Sequence, residues 1–251
     1  MTEPSVSLQR PRVSVVIPAH NEAESLPRLI DEVLRAFSAS DGIEILVVDD
    51  ASSDGTPAVL ARLQAQLPQL RVLCHTRNAG QSAALLSGVR AARAAWIATL
   101  DGDGQNDPAD LPRLMAHLSQ RGDPALKLVQ GWRTGRRDTR IKRLSSRIAN
   151  AVRRRALHDA TPDSGCGIRV VEREALLRAP AFDHMHRFIP ALISQQGWKV
   201  ESLPVHHRPR GAGRSHYGLW DRLWVGIVDL AGVAWLGWRA RRTEVDERQP
   251  A

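Results

Sequence analysis

Short apolar runs alternate with amphipathic stretches through the first half of the chain. Val13 to Ile17, Ile43 to Val48 and Trp96 to Leu100 are largely apolar runs of strand length, and Val72-Leu73 reads as a further strand. Runs of this kind predict strands buried on both faces. Between them, Leu26, Leu29, Ile30, Val33, Leu34 and Phe37 recur at helical spacing. A second helix follows Thr56-Pro57 with Val59, Leu60 and Leu63 inward, and proline suits a first helical position. Gly80 to Ala95 is an alanine-rich helix in which Gly88 allows close packing, and Asp107-Pro108 opens a helix carrying Leu111, Leu114, Met115 and Leu118. Leu126 to Gln130 is a short strand. The alternation predicts an α/β domain with a mainly parallel sheet covered on both faces.

Beyond Gly131 the pattern changes. Arg133 to Arg140 is polar and aperiodic and reads as a loop; a helix is expected from Ile141 to about Leu157. Residues 166–171 suggest a strand, Arg187 to Gln196 a short helix and Trp198 to His206 an edge strand. Arg208 to Tyr217 is a basic, glycine-containing loop. Leu223 to Trp238 is apolar except for Asp229. At helical rise it spans roughly 24 Å, short of the roughly 20 apolar residues of a spanning helix. Trp220, Trp224, Trp235 and Trp238 lie towards its ends and Arg239, Arg241 and Arg242 follow, a pattern that fits the headgroup region. It reads as a membrane-associated helix, in-plane or re-entrant, against the alternative of a core helix closing the domain. The organisation expected is a tail over 1–11, one domain over 12–217, the apolar helix over 218–242 and a tail over 243–251. Met1 to Arg12 has no apolar core and does not read as a signal peptide.

The chemistry gathers at strand ends. Trp96 to Leu100 runs into Asp101-Gly102-Asp103-Gly104-Gln105, and two carboxylates so spaced suit a hard divalent cation with open positions for phosphate oxygens. Val13 to Ile17 runs into Pro18-Ala19-His20-Asn21-Glu22, and Ile43 to Val48 into Asp49-Asp50-Ala51-Ser52-Ser53-Asp54-Gly55-Thr56. In open α/β sheets ligands bind outside the carboxyl ends of the strands, so these runs point to one shared crevice. Asp54 and Thr56 suit a helix N-terminus, whereas capping explains Asp49 and Asp50 less well.

These residues resemble the inverting family-2 glycosyltransferases of the GT-A fold, and more narrowly the polyprenyl-phosphate, dolichol-phosphate mannose synthase-like sugar transferases. The matching groups are Pro18, Asn21 and Glu22; Asp49, Asp50, Ser52, Asp54, Gly55 and Thr56; Arg77, Asn78 and Gly80; and Asp101, Asp103, Gln105 and Pro108. They continue in order with Gly131 and Arg133; Ser146, Arg147 and Asn150; Asp163, Ser164, Gly165 and Arg169; and Arg208, Gly211, Ser215 and Tyr217, the last with one extra residue in the spacing.

The resemblance implies a nucleoside-diphosphate-sugar donor, with Asp101, Asp103 and Gln105 holding Mn2+ or Mg2+ and the diphosphate. It places Pro18, Glu22 and Asp50 at base and ribose, with His20, Asn21, Val48, Asn78, Gly80 and Gly102 in the same pocket; Asn78 also reads as an ordinary turn residue. A divalent metal stabilises the charge that builds on a leaving diphosphate. A hydroxyl acceptor needs a general base, whereas an ionised lipid phosphate needs orientation and charge compensation. Arg133, Lys142, Arg143, Ser146 and Arg147 supply the second, since arginine forks match phosphate oxygens. Asp163 either acts as a base, orients Arg169 or caps a turn. The loop through Arg214 and His216 is expected to close over the diphosphate; relatives typically carry lysine at His216, and either residue supplies the charge. Several relatives carry two transmembrane helices here, and the apolar run over Leu223 to Trp238 is not expected to form them.

Composition narrows the field. With 251 residues, 43% apolar and 25% charged, the chain is an ordinary globular protein able to bury a large core. Cys74 and Cys166 have no metal spacing, and Cys74 reads as a buried small hydrophobe. The net charge of +8 is concentrated between Arg133 and Arg155, which hold ten basic residues against Asp138. A lipid phosphate or anionic membrane fits this better than nucleic acid, because aromatics for base stacking are missing there. The expected function is metal-dependent, inverting sugar transfer to a polyprenyl (undecaprenyl or dolichyl) phosphate at the cytoplasmic face of the inner membrane. The alternatives are transfer to a saccharide hydroxyl, and a non-catalytic nucleic-acid- or membrane-binding protein on the same fold.

Overall fold

The computed structural model describes residues 10–38, 42–134, 152–157, 159–208 and 219–240, with backbone alone over 219–225. The elements are β1 (Val13–Ala19), α1 (Leu26–Ala36), β2 (Ile43–Asp49), α2 (Thr56–Gln66), β3 (Leu70–Cys74), α3 (Gln81–Ala91), β4 (Trp96–Thr99), α4 (Asp110–Arg121) and β5 (Leu126–Arg133). A helical stretch α5 (152–157) follows. Then come β6 (Arg169–Glu172), α6 (Arg173–Leu177), a 3-10 turn (Met185–Arg187), α7 (Ile189–Gln195), β7 (Lys199–Val205) and α8 (Leu219–Arg239).

The strands form one sheet in the order β3-β2-β1-β4-β6-β5-β7. The pairs β1–β2, β1–β4, β2–β3 and β5–β7 are parallel, whereas β6 runs antiparallel to both β4 and β5. Side chains alternate across the sheet. Val13, Val15 and Ile17 face one layer with Leu26, Leu29, Ile30 and Val33 of α1 and Leu111 and Leu114 of α4. Val16, Leu46, Ile97 and Val171 face the other, with Leu85, Leu86 and Val89 of α3, Leu176 of α6 and Ile189, Leu192 and Ile193 of α7.

One buried acid within this core, Glu44, has both oxygens satisfied. Ser14 Oγ donates to Glu44 Oε1 at 2.5 Å, Arg71 Nη1 to Glu44 Oε2 at 2.8 Å, and the Arg93 amide to Glu44 Oε1 at 2.5 Å. A carboxylate so surrounded is tolerable in the interior because each oxygen has donors. It ties the starts of β1 and β2 to the approach to β4.

Several expectations are refined. β5 extends to Arg133, so this arginine stands on a strand end and not in a loop. β6 begins at Arg169, later than expected, and helix α3 ends at Ala91. Cys74, expected in the interior, is exposed because β3 is an edge strand. The helix expected from Ile141 is described only from residue 152, and most of the loop after Arg208 lies outside the described residues. α8 packs on α7: Val233 is buried in the second core layer, and Gln195 Nε2 donates to the Val233 carbonyl at 3.1 Å.

Gly88 sits where α3 presses on the sheet, and a Cβ there would lie 2.4 Å from Val16 Cγ1 and 3.1 Å from Val48 Cγ2. Gly232 on the outer side of α8 has nothing within 4 Å. In an open helical position Gly→Ala gains roughly 0.8–1 kcal/mol in helix propensity. Gly232→Ala is therefore expected to stabilise the protein, and Gly88→Ala to destabilise it by about 1–3 kcal/mol through overpacking. Urea unfolding of the two variants, with opposite displacements of the midpoint, checks this.

Candidate active site

The carboxyl ends of β1, β2 and β4 open into one cavity of about 590 Å3. Its wall includes Pro18, His20, Glu22, Asp50, Asn78, Gly80, Asp101, Gly102 and Asp103, gathered from segments far apart in the sequence.

Asp50 anchors one side. Its Oδ1 accepts from the Ala79 amide at 2.9 Å and lies 2.7 Å from His75 Nδ1, while Oδ2 accepts from the Gly80 amide at 2.7 Å. His75 Nε2 in turn meets Ser87 Oγ at 2.9 Å, so α3 and the turn before it are held to the end of β2. Gly80 adopts φ +87°, a conformation that glycine enters without penalty, and so turns both amides towards the carboxylate. His20 Nδ1 donates to the Asp50 carbonyl at 2.8 Å, and Asn78 Nδ2 lies 3.2 Å from the same ring nitrogen.

Asp101 and Asp103 line another part of the wall. Burial first, and then the neighbouring Asp103 carboxylate, push the Asp101 carboxyl above its ordinary range, while Arg169 and Arg133 pull it down. Gln81 Nε2 donates to its Oδ1 at 2.8 Å. Behind it stands Gly167, where a Cβ would fall 2.1 Å from Asp101 Oδ2. Gly102 approaches β1 closely, with a Cβ position 3.0 Å from the Pro18 carbonyl oxygen. Two mutually repelling carboxylates, both partly exposed at the cavity wall, form a donor set whose ionised state a divalent cation would stabilise, so the residues fit Mn2+ or Mg2+.

Arg133 and Asp163 form a bidentate pair: Nε donates to Oδ2 at 2.7 Å and Nη2 to Oδ1 at 2.8 Å. Both are largely withdrawn from solvent. The guanidinium has five N–H donors, so this pair leaves some for another anion. Asp163 thus orients Arg133, and Arg169 is instead held by the Cys166 and His186 carbonyls at 2.6 and 2.9 Å. Burial pushes the Cys166 thiol up to about 11, which keeps it an inert neutral group at pH 7.

Other expected site residues stand elsewhere. Val48 is fully buried within β2 and is not part of the cavity wall. Asn21, at φ +58°, accepts from the Ser53 amide at 2.8 Å and builds the turn between β1 and α1. Asp49 likewise accepts from the Ser52 amide at 3.0 Å. Gln105 does not line the cavity; its carbonyl accepts from the Arg208 amide at 2.9 Å, and Arg208 is clamped by Glu32 at 2.6 Å and Asp107 at 2.9 Å. Lys142, Arg143, Ser146, Arg147, Arg214 and His216 lie outside the described residues.

Sequence reasoning missed part of the wall: Gln81, and the group Asp183, His184, His186 and Arg187 between α6 and α7. The backbone amide of His186 donates to Ser82 Oγ at 3.3 Å, and the same hydroxyl pairs with His186 Nδ1 at 2.8 Å.

Residues 14–178 match the family model described as Glycosyl transferase family 2. The chain belongs to glycosyl transferase family 2. It is similar to the dodecaprenyl-phosphate galacturonate synthase of Rhizobium johnstonii, at 34% identity over 90% of this chain and 67% of that protein. To the undecaprenyl-phosphate 4-deoxy-4-formamido-L-arabinose transferase of Sodalis glossinidius it is 36% identical, over 83% of this chain and 63% of the relative. The chain therefore spans about two thirds of the length of these curated relatives. Among solved structures, a mannosyltransferase from Pyrobaculum calidifontis in complex with GDP-Man and Mn2+ superposes with a TM-score of 0.68 at 23% identity, covering 94% of this chain and 66% of that one. Glucosyl-3-phosphoglycerate synthase from Mycobacterium tuberculosis, with Mn2+ and UDP, gives 0.66 at 19% identity over 92% of this chain and 80% of the other. These likenesses establish the GT-A fold for this family-2 chain.

Burial first, and then the Arg169 charge, depress His186 from 6.5 to about 3. Between those two values the unfolded chain binds a proton that the folded family-2 domain does not, so stability falls as the pH drops from 6.5 towards 3. The slope from this residue is about 1.4 kcal/mol per pH unit. His186→Asn is expected to reduce the loss of stability between pH 7 and pH 5 by roughly 2 kcal/mol, as measured by urea unfolding at both pH values.

Proposed function

We propose that this family-2 chain transfers a sugar from a nucleoside diphosphate to a polyprenyl phosphate. The observation that carries the reading is the cavity in which Asp50, Asp101 and Asp103 converge, in a chain whose curated relatives bear the names of dodecaprenyl- and undecaprenyl-phosphate sugar transferases. An acceptor phosphate oxygen attacks the anomeric carbon as the bond from that carbon to the diphosphate oxygen breaks. The nucleoside diphosphate departs with the electron pair, and configuration inverts. A divalent cation held by Asp101 and Asp103 would act as a Lewis acid on the leaving diphosphate. Pro18, His20, Glu22, Asp50, Asn78 and Gly80 bind the nucleoside, and Arg133, oriented by Asp163, directs its spare donors at the acceptor phosphate. The bidentate Arg133–Asp163 pair favours this acceptor over a saccharide hydroxyl, because a carboxylate already engaged on both oxygens is a poor general base.

The acceptor is a membrane lipid, and α8 offers a surface for that setting. Among the described residues no helix is long and apolar enough to cross a membrane. One side of α8 nevertheless exposes Ile227, Val228, Trp235 and Trp238, the last at 79%. Arg239, Arg241 and Arg242 continue the chain from that end. In this reading α8 lies in the plane of the cytoplasmic leaflet, its tryptophans at headgroup level and its arginines on anionic lipid.

Transfer of radiolabel from a panel of nucleotide sugars to undecaprenyl phosphate, with Mn2+, Mg2+ or chelator, tests the reaction. Product is expected with metal and not with chelator, and Asp103→Ala and Gly167→Ala are each expected to lower turnover by at least about a hundredfold in folded protein. Metal-dependent donor binding without lipid product would turn the reading towards a hydroxyl acceptor. For α8, flotation with vesicles is expected to recover the protein when anionic lipid is present, and Trp235→Ser with Trp238→Ser to release it without change in the circular-dichroism spectrum.

A further inference from the structure

The wall of the cavity has three parts, and the proposed transfer uses two of them. The ends of β1 and β2 with the turn before α3 are assigned to the nucleoside, and Asp101 and Asp103 to the metal and diphosphate. The third part, Asp183, His184, His186 and Arg187, remains to face the group the diphosphate carries. Within it, His186 Nδ1 is committed to Ser82, and Arg187 is exposed.

His184 stands apart. Its φ of +61° is a left-handed conformation that a residue with a Cβ rarely holds unless its surroundings impose it. Its Nδ1 lies 3.2 Å from Asp229 Oδ2, and its Nε2 lies 3.7 Å from Asp183 Oδ2. Asp229 is the acid within the otherwise apolar run of α8. Its Oδ2 is buried and receives no well-angled hydrogen bond among the described residues, although His184 is at ion-pair distance. A buried carboxylate oxygen is costly to leave unpaired, and a small rotation of the imidazole brings Nδ1–H onto it. The ring then keeps Nε2 for a ligand. That atom accepts a hydrogen bond in the neutral ring and donates one in the charged ring, and a sugar hydroxyl is able to pair with either.

We propose that His184, oriented by Asp229 of α8, hydrogen-bonds a hydroxyl of the donor sugar and so helps select which sugar is transferred. His184 is then a specificity residue and Asp229 a positioning residue. The inference rests on the reading of the cavity as a nucleotide-sugar site.

The test compares a nucleoside diphosphate with the nucleotide sugar that the transfer assay identifies, by calorimetry in the presence of Mn2+. His184→Gly suits the left-handed backbone, and Asp229→Asn preserves shape. Both variants are expected to bind the nucleoside diphosphate within about twofold of wild type and to lose on the order of tenfold in affinity for the nucleotide sugar. In wild type a donor lacking the recognised hydroxyl is expected to lose as much, and in His184→Gly to lose no more, the non-additivity of a shared contact. Unchanged affinity for the nucleotide sugar in both variants would overturn the proposal. So would an equal loss for sugar-bearing and sugar-free nucleotide, which would make the pair a mere anchor for α8. Wild-type protein that binds no nucleoside diphosphate would remove the cavity reading itself, and this inference with it.

Discussion

A carboxylate taken out of water has to be held by donors or by a cation, and the site is organised around two of them. Asp50 receives two backbone amides and a histidine, which fixes the turn before α3 to the end of β2. Asp101 receives Gln81 and lies near Arg133 and Arg169, yet burial and Asp103 still favour its protonated form. The imbalance is local and has a direction: positive charge is wanted between the two acids. The sheet exists in this form because parallel strands deliver their polar ends to a common edge, while continuous apolar runs keep both faces dry.

The second arrangement is a division of labour between acids and glycines. Gly102 and Gly167 are the places where backbone passes so close to Pro18 and Asp101 that a single methyl group would move them. Gly80 turns two amides towards one carboxylate. Arg133 and Asp163 bind each other through two bonds, so the protein itself fixes the orientation of the arginine.

How much of this the sequence displayed depended on whether a signal was local. The strands β1, β2 and β4 and helices α1 and α4 were legible because apolar spacing is written into consecutive residues, and the family was legible because its motifs lie in order along them. The reversed direction of β6 was not, since Arg169 to Glu172 reads the same in either orientation. Asn21, expected in the pocket, also builds a turn, and the sequence could not display that second role because turn building and ligand binding draw on the same short polar side chains. The roles of His75, His184 and His186 are not visible in the sequence, because their partners Asp50, Asp229 and Ser82 come from distant segments. A lone acid in an apolar helix, Asp229, was the available hint that something polar waited opposite.

The reversal of β6 also bears on how the sheet is joined. β6 alone joins the group β3, β2, β1 and β4 to the pair β5 and β7, and without it each would present an unpaired edge. The joining strand pairs Thr99 with Arg169 on one side and Gln130 with the same Arg169 on the other. Without it two open strand edges would be available for pairing with another chain. The residue at that seam, Arg169, is also the one whose guanidinium sits beside Asp101. The strand that closes the sheet therefore also carries the arginine beside Asp101, so loosening β6 would disturb both the sheet and that end of the cavity.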